Sequence, residues 1–140
     1  MSIGYHTQQG HFLIGSETQA PALTTSYGDN TYTLSVGRMT QAEFYLEYTP
    51  GENNGVLNVQ IEMGPSESDL YKSVAQTVDS STGIVTILPK IEQITGTVAS
   101  TVYKYRLSEP VADRFLRISF KEDVSTTHGT LKAKVLMSGI

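Results

Sequence analysis

The chain contains no cysteine, only three histidines, and no apolar run approaching the length of a membrane span. Without cysteine there are no disulfides, no thiolate metal ligands and no thiol nucleophile, while the redox compartment stays open, because a cysteine-free chain folds in any of them. Scarce histidine limits nucleophilic catalysis by Ser or Thr, which needs a base within hydrogen-bond reach. His6, His11 and His128 are the only such candidates. A helical span requires roughly 18 apolar residues, which the chain nowhere provides. Its start, MSIGYHTQQG, lacks the basic opening and apolar stretch of a secretory signal, so synthesis and folding in a cytoplasm are expected.

A general attraction to polyanions is also missing. Ten Lys and Arg stand against 14 Asp and Glu, a net charge of −4, which disfavours nucleic acid and anionic membrane as partners. The balance is uneven along the chain. Residues 1–70 hold eight acids and one base, and residues 71–140 hold nine bases and six acids.

What is present is one domain's worth of alternating strand sequence. A chain of 140 residues with 39% apolar side chains suits a single core. A domain of that size buries roughly 70% of the surface its unfolded chain exposes, so metal or disulfide staples are unnecessary. Residues 1–30 are rich in Gly, Thr, Ser, Gln and Pro, with one apolar knot at Phe12, Leu13 and Ile14, and read as an extended arm carrying one short strand. From Thr31 onward the period is two, which places alternate side chains on a core and in water. Tyr32, Leu34 and Val36 share a face, as do Phe44, Leu46 and Tyr48, with Glu43, Tyr45 and Glu47 turned away. Leu57, Val59, Ile61 and Met63 alternate with Val56, Asn58, Gln60 and Glu62. Between these last two segments lies ProGlyGluAsnAsnGly, whose Asn54 and Gly55 tolerate positive φ, predicting a hairpin.

Later segments repeat the pattern. Residues 70–78 and 84–88 flank a turn-like AspSerSerThrGly, and Tyr103, Tyr105 and Leu107 alternate with Lys104 and Arg106. Leu116, Ile118 and Phe120 are inward in one run, and Leu131, Ala133, Val135 and Met137 in the next, with a hairpin predicted across SerThrThrHisGly. Seven to nine short strands separated by turns predict an all-β, antiparallel β-sandwich over residues 31–140, of jelly-roll or discoidin-like type, with a closed barrel as the competing architecture.

A resemblance extends this reading over about 100 residues. GluPheTyrLeuGluTyrThrProGlyGlu at 43–52, ValGlnIleGluMet at 59–63 and AspLeuTyr at 69–71 carry it first. They are followed by TyrLysTyrArgLeuSerGluProValAlaAspArgPheLeuArgIleSerPheLys at 103–121 and GlyThrLeuLysAlaLysVal at 129–135. Together these resemble a loose group of small proteins encoded in bacteriophage genomes. The ArgPheLeuArgIle strand is also similar to discoidin-like sandwiches that bind carbohydrate and lipid. The resemblance implies a virion component made in the host cytoplasm, of the capsid decoration or auxiliary type. Its implied partners are the major capsid protein or neighbouring structural subunits, and it implies homo-oligomers, with a trimer as one closure open to jelly-roll subunits. The chain departs from the group where Leu70, not Trp, precedes Tyr71, and no binding residue carries over.

Candidate chemistry is sparse. His128 sits in a Thr-Thr-His-Gly turn with no orienting acid evident, and His6 and His11 lie five apart on a segment without strong periodicity, which is a poor zinc site. Glu43, Glu47 and Glu62 point outward, where open-face carboxylates stay solvated and lack the raised pKa of a glycosidase acid. Asp29 with Asn30, and Glu52 with Asn53 and Asn54, offer loop oxygens without the ligand pattern of a calcium site, and turn formation explains them. Gly51 and Gly55 lack the Lys and helix of a phosphate loop. No enzyme activity, cofactor or metal is expected.

Surface contacts are therefore the expected chemistry. Outward aromatics such as Tyr45, and Phe115 if it faces outward, are candidates to stack on a partner or on a sugar, and in the alternative reading as a carbohydrate-binding module Tyr71 or Tyr45 would carry the glycan contact. Arg117, Lys121, Lys132 and Lys134 share one parity of a predicted hairpin, and Glu43, Glu47 and Glu62 one parity of another. If those hairpins lie in opposite sheets, the sandwich has an acidic and a basic face suited to directed contacts with neighbours. If they interleave in one sheet, the same charges become cross-strand pairs. Phe12, Leu13 and Ile14 complete the expected interface, the arm ordering by packing on a neighbouring subunit.

Overall fold

The computed structural model describes residues 6–7, 11–16, 18–37 and 39–139, with the backbone alone at 6, 7 and 11. Its elements are β1 (His6–Thr7), β2 (His11–Ile14), a 3-10 turn (Tyr27–Asp29), β3 (Thr31–Ser35), β4 (Met39–Thr49) and β5 (Gly55–Ser66). They continue with β6 (Asp69–Lys72), β7 (Val74–Val78), β8 (Val85–Pro89), β9 (Ile91–Gly96), β10 (Tyr103–Pro110), β11 (Phe115–Asp123) and β12 (Thr130–Gly139). Every strand pairing is antiparallel.

Two five-stranded sheets form the body. The first runs β12–β4–β10, with β1 and β2 both on the far side of β12, and the second runs β3–β11–β5, with β6 and β9 both on the far side of β5. Among the described residues neither sheet closes on itself, so the architecture is a sandwich and not a closed barrel. The expected inward side chains meet between the layers. Phe44, Leu46 and Tyr48 of β4 and Leu131, Ala133 and Val135 of β12 are buried against Leu57 and Val59 of β5 and Leu116, Ile118 and Phe120 of β11. Full burial of such side chains contributes roughly 1.5–3 kcal/mol each, which makes this layer the main source of cohesion.

Two expected hairpins are corrected. The ProGlyGluAsnAsnGly segment does reverse the chain, and Asn54 has the anticipated positive φ of 63°. Its flanking strands nevertheless do not pair, because β4 lies in the first sheet and β5 in the second. The same holds for β11 and β12 across residues 124–129. Turn composition marks a reversal but does not say whether the chain returns beside itself or over itself. Here each connection carries the chain from one layer to the other.

The arm is not separate from the body: over residues 11–16 and 18–30 it packs on its own domain. β2 adds to β12 with Phe12 opposite Lys134 and Ile14 opposite Ala133, and Ile14 and Leu23 join the core. Leu23 N–H donates to Gly129 O at 2.9 Å, and Phe120 N–H donates to Asn30 O at 2.9 Å, so the segment is laced to both layers. Residues 1–5, 8–10 and 17 of the expected arm lie outside the described residues.

Between β6 and β9 the chain leaves the body altogether. β6 pairs with the C-terminal part of β5 and β9 with its N-terminal part, while the intervening β7 and β8 pair with each other in a separate two-stranded ribbon. A single strand over 70–78 was expected, and it is broken at Ser73, where pairing passes from β5 to β8.

Candidate interaction surfaces

Three regions of the surface carry the residues singled out by sequence. The first is the end of the sandwich where both layer-switching connections meet. Glu52, on the β4–β5 connection, reaches across to the β11–β12 connection. Its carboxylate accepts from the backbone N–H groups of Ser125, Thr126 and Thr127 and from the hydroxyls of Ser125 at 2.6 Å and Thr126 at 2.8 Å. Hydroxyl and backbone donors on the charged form hold this carboxyl down from 4.5 to about 2, led by the Ser125 hydroxyl. Glu122, at the end of β11, is completely buried. It accepts from the Tyr48 hydroxyl at 2.5 Å and from Gly129 N–H at 2.6 Å. Burial, and the carboxylate that Tyr48 donates to, raise the Tyr48 phenol well above its usual range. Gly129 is required here by close approach, since a Cβ would run into the Thr49 carbonyl and the Glu122 carboxylate.

His128 belongs to this cluster, with Nδ1 3.3 Å from Glu122 Oε1 but not aligned for a hydrogen bond. The acid beside His128 was not evident in the sequence; it comes from the preceding strand across the sheet switch. Its two oxygens are taken by Tyr48 and Gly129, so the group works as a latch tying β4, β11 and the second connection together. The other loop oxygens are also structural. Asp29 accepts from Thr24 Oγ1 at 2.6 Å, and Asn53 accepts from Ala99 N–H at 2.8 Å. Among the described residues no three His, Asp or Glu side chains group as metal ligands, and the side chains of His6 and His11 lie outside those residues.

The second region is the pair of outer sheet faces, where the expected charges lie. Glu43 and Glu47 project from the first sheet together with Lys132 and Lys134. Glu62 projects from the second with Arg117 and Lys121. Because β4 neighbours β12 and β5 neighbours β11, acids and bases alternate within each layer, and the two-faced arrangement is ruled out. Glu47 sits 3.8 Å from Lys132 and 3.7 Å from Lys104. Such partly exposed cross-strand pairs contribute about 0.2–1 kcal/mol each after screening by water and salt. Arg117 donates through Nε and Nη2 to the two Glu62 oxygens, both at 3.2 Å. Lys121 pairs instead with Asp123 at 3.8 Å and lies over the Tyr27 ring.

Three side chains expected to face water, Asn58, Gln60 and Glu62, are in fact buried. They sit on β5, the central strand of its layer, and lateral neighbours cover them. Asn58 accepts from Gln93 of β9 at 2.8 Å and donates to Asp123 of β11 at 2.9 Å. The converse holds at the edge, where Tyr105 of β10 turns inward yet stays 40% exposed.

On the outer face of the first sheet, register sets Phe12, Lys134, Tyr45 and Arg106 side by side across four strands. Lys134 Nζ lies 4.7 Å from the centre of the Phe12 ring. Phe12, Tyr45, Glu47, Lys132 and Lys134 line a shallow cleft of about 210 Å³. Tyr71 is exposed on β6, whereas Phe115 is half-buried opposite Gly64.

The third region is the β7–β8 ribbon. Every residue from 71 to 91 is exposed. Val74, Val78, Ile84, Val85, Ile87 and Leu88 show between 48% and 65% of their surface. The sequence showed the strands here but gave no sign that no layer covers them.

The fold and these surfaces define a β-sandwich body with a projecting apolar ribbon. Comparisons with family models, with curated proteins and with solved structures gave no match.

Proposed function

We propose that this chain is a non-enzymatic structural subunit of a phage virion, of the capsid decoration or auxiliary type, binding neighbouring virion proteins. The observation that carries the reading is the ribbon at residues 74–89. An isolated two-stranded hairpin is marginal in water, and contiguous apolar surface of this kind belongs to protein–protein contacts. The body, by contrast, has a covered core and is latched at one end, as a block in an assembly should be. The resemblance of residues 41–140 to small phage-encoded proteins supplies the kind of assembly. Mass spectrometry of gradient-purified particles, with immunogold labelling against this chain, tests it. The expected result is a fixed copy number with label on the particle surface, and absence of the chain from washed particles would overturn the proposal.

A second reading, a carbohydrate-binding adhesion module, is favoured by the cleft between Phe12, Tyr45 and Lys134, where flat rings and polar groups converge as sugar recognition requires. Glycan-array binding lost in Tyr45→Ala supports it, and an array without signal for the wild-type chain removes it.

A further inference from the structure

Antiparallel pairing sorts the side chains of the β7–β8 ribbon onto two unlike faces. Directly opposed residues share a face, and the register sets Val74 against Pro89, Gln76 against Ile87 and Val78 against Val85. One face is therefore five apolar side chains surrounding a single amide. The other carries Ala75, Thr77, Thr86 and Leu88 in the same register, a mixed surface that water tolerates.

Resting on the reading of the chain as an assembly subunit, we propose that the ribbon is a self-association element whose apolar face packs on the same face of a second copy. Three features select this occupant. No charge lies on the face, so a copy of itself meets it without repulsion. The exposed fractions of Val74, Val78, Val85 and Ile87 lie between 48% and 65%. With Pro89 and Gln76 the exposed surface of these residues is on the order of 500 Å² per copy, so a face-to-face pair covers at most about 1,000 Å², the lower threshold of a specific interface.

The third feature fixes the arrangement. With two ribbons face to face about 10 Å apart, a twofold axis along the strands would set Gln76 over the partner's Ile87 and leave the amide without a partner. A twofold axis across the strands sets β7 over β7, so Gln76 meets the partner's Gln76. An amide is both donor and acceptor and satisfies its own copy. The same axis lays the tip of one ribbon, with Asp79, near the base of the other, with Lys72 and Lys90. It also places Ile87 over the partner's Ile87. The geometry points to an isologous, tip-to-base pair of ribbons.

Sedimentation equilibrium of the full chain between about 1 and 100 µM tests this, with Ile87→Asp on the apolar face and Thr86→Asp on the opposite face of the same strand. Wild type and Thr86→Asp should associate with dissociation constants within about fivefold of one another. Ile87→Asp, which sets like charges over one another at the axis, should weaken association by about 100-fold or more while the far-ultraviolet circular dichroism of the body is unchanged. A wild type that is monomeric throughout overturns the proposal, as does equal association of the two variants. Neither result bears on whether the chain is found in particles, which fails or stands by the particle measurement alone.

Discussion

β11 and β8 are built from the same kind of sequence and end at opposite extremes of burial. In β11, Leu116, Ile118 and Phe120 are fully covered, each 0% exposed, whereas in β8 Val85 and Ile87 stand 48% and 65% exposed. Alternation specifies a strand with one apolar face; it does not say what covers that face. In the body the cover is the facing sheet of the same chain, and in the ribbon no layer among the described residues supplies it.

The sharpest way to probe this difference is truncation on each side of it. Phe120→Ala should lower the unfolding free energy by about 3–5 kcal/mol in urea titrations, through lost transfer energy and the cavity left behind. A loss below about 1 kcal/mol there would mean that the layers are not close-packed. Next in size is the latch. Glu122→Ala leaves the Tyr48 hydroxyl and Gly129 N–H buried without an acceptor and should cost about 2–4 kcal/mol. In a double-mutant cycle the cost should be partly relieved by Tyr48→Phe, and additive effects would dissociate the two groups.

Smaller and conditional is the contribution of Glu52. Its carboxyl titrates at about 2 when folded and near 4.5 when unfolded. The stabilisation it provides is complete above pH 4.5 and is lost as the pH falls towards 2. Glu52→Gln should remove that part of the acid dependence of stability, measured as unfolding midpoints across this window, and an unchanged slope would show that the Glu52 contacts to the second connection do not depend on its charge. The smallest effect closes the comparison. Ile87→Ala should change monomer stability by less than about 0.5 kcal/mol, because the side chain stands 65% exposed on the ribbon.

Strand positions were legible in the sequence because the period of two depends only on which side chains face a common layer. Phe44, Leu46, Tyr48, Leu57, Val59, Leu116, Ile118, Phe120 and Val135 could be assigned inward on that basis. Pairing was not legible, since Asn54 and Gly55 announce a reversal equally well for a hairpin and for a connection between layers. Nor could burial of Glu62 be read from its outward parity, which depends on Arg117 arriving from a strand distant in sequence. The proximity of His128 to Glu122 was hidden for a different reason: the two are only six residues apart, and the conformation of the connection between layers, which composition does not fix, brings them together. At the cleft, Tyr45 and the lysines were identifiable singly, but their alignment with Phe12 follows from a register set by β2.

The order of pairing has a consequence for how the molecule comes into being. At the centre of each sheet, β4 finds β12 and β5 finds β11, partners from far apart in the chain. Neither layer can mature while β11 and β12 are missing, so on the ribosome the body stays unformed until both strands have emerged. Distant pairings of this kind place refolding in the slow, millisecond-to-second range of small domains. The β7–β8 ribbon is the exception: its two strands are separated by a short turn and can meet long before the rest of the domain exists.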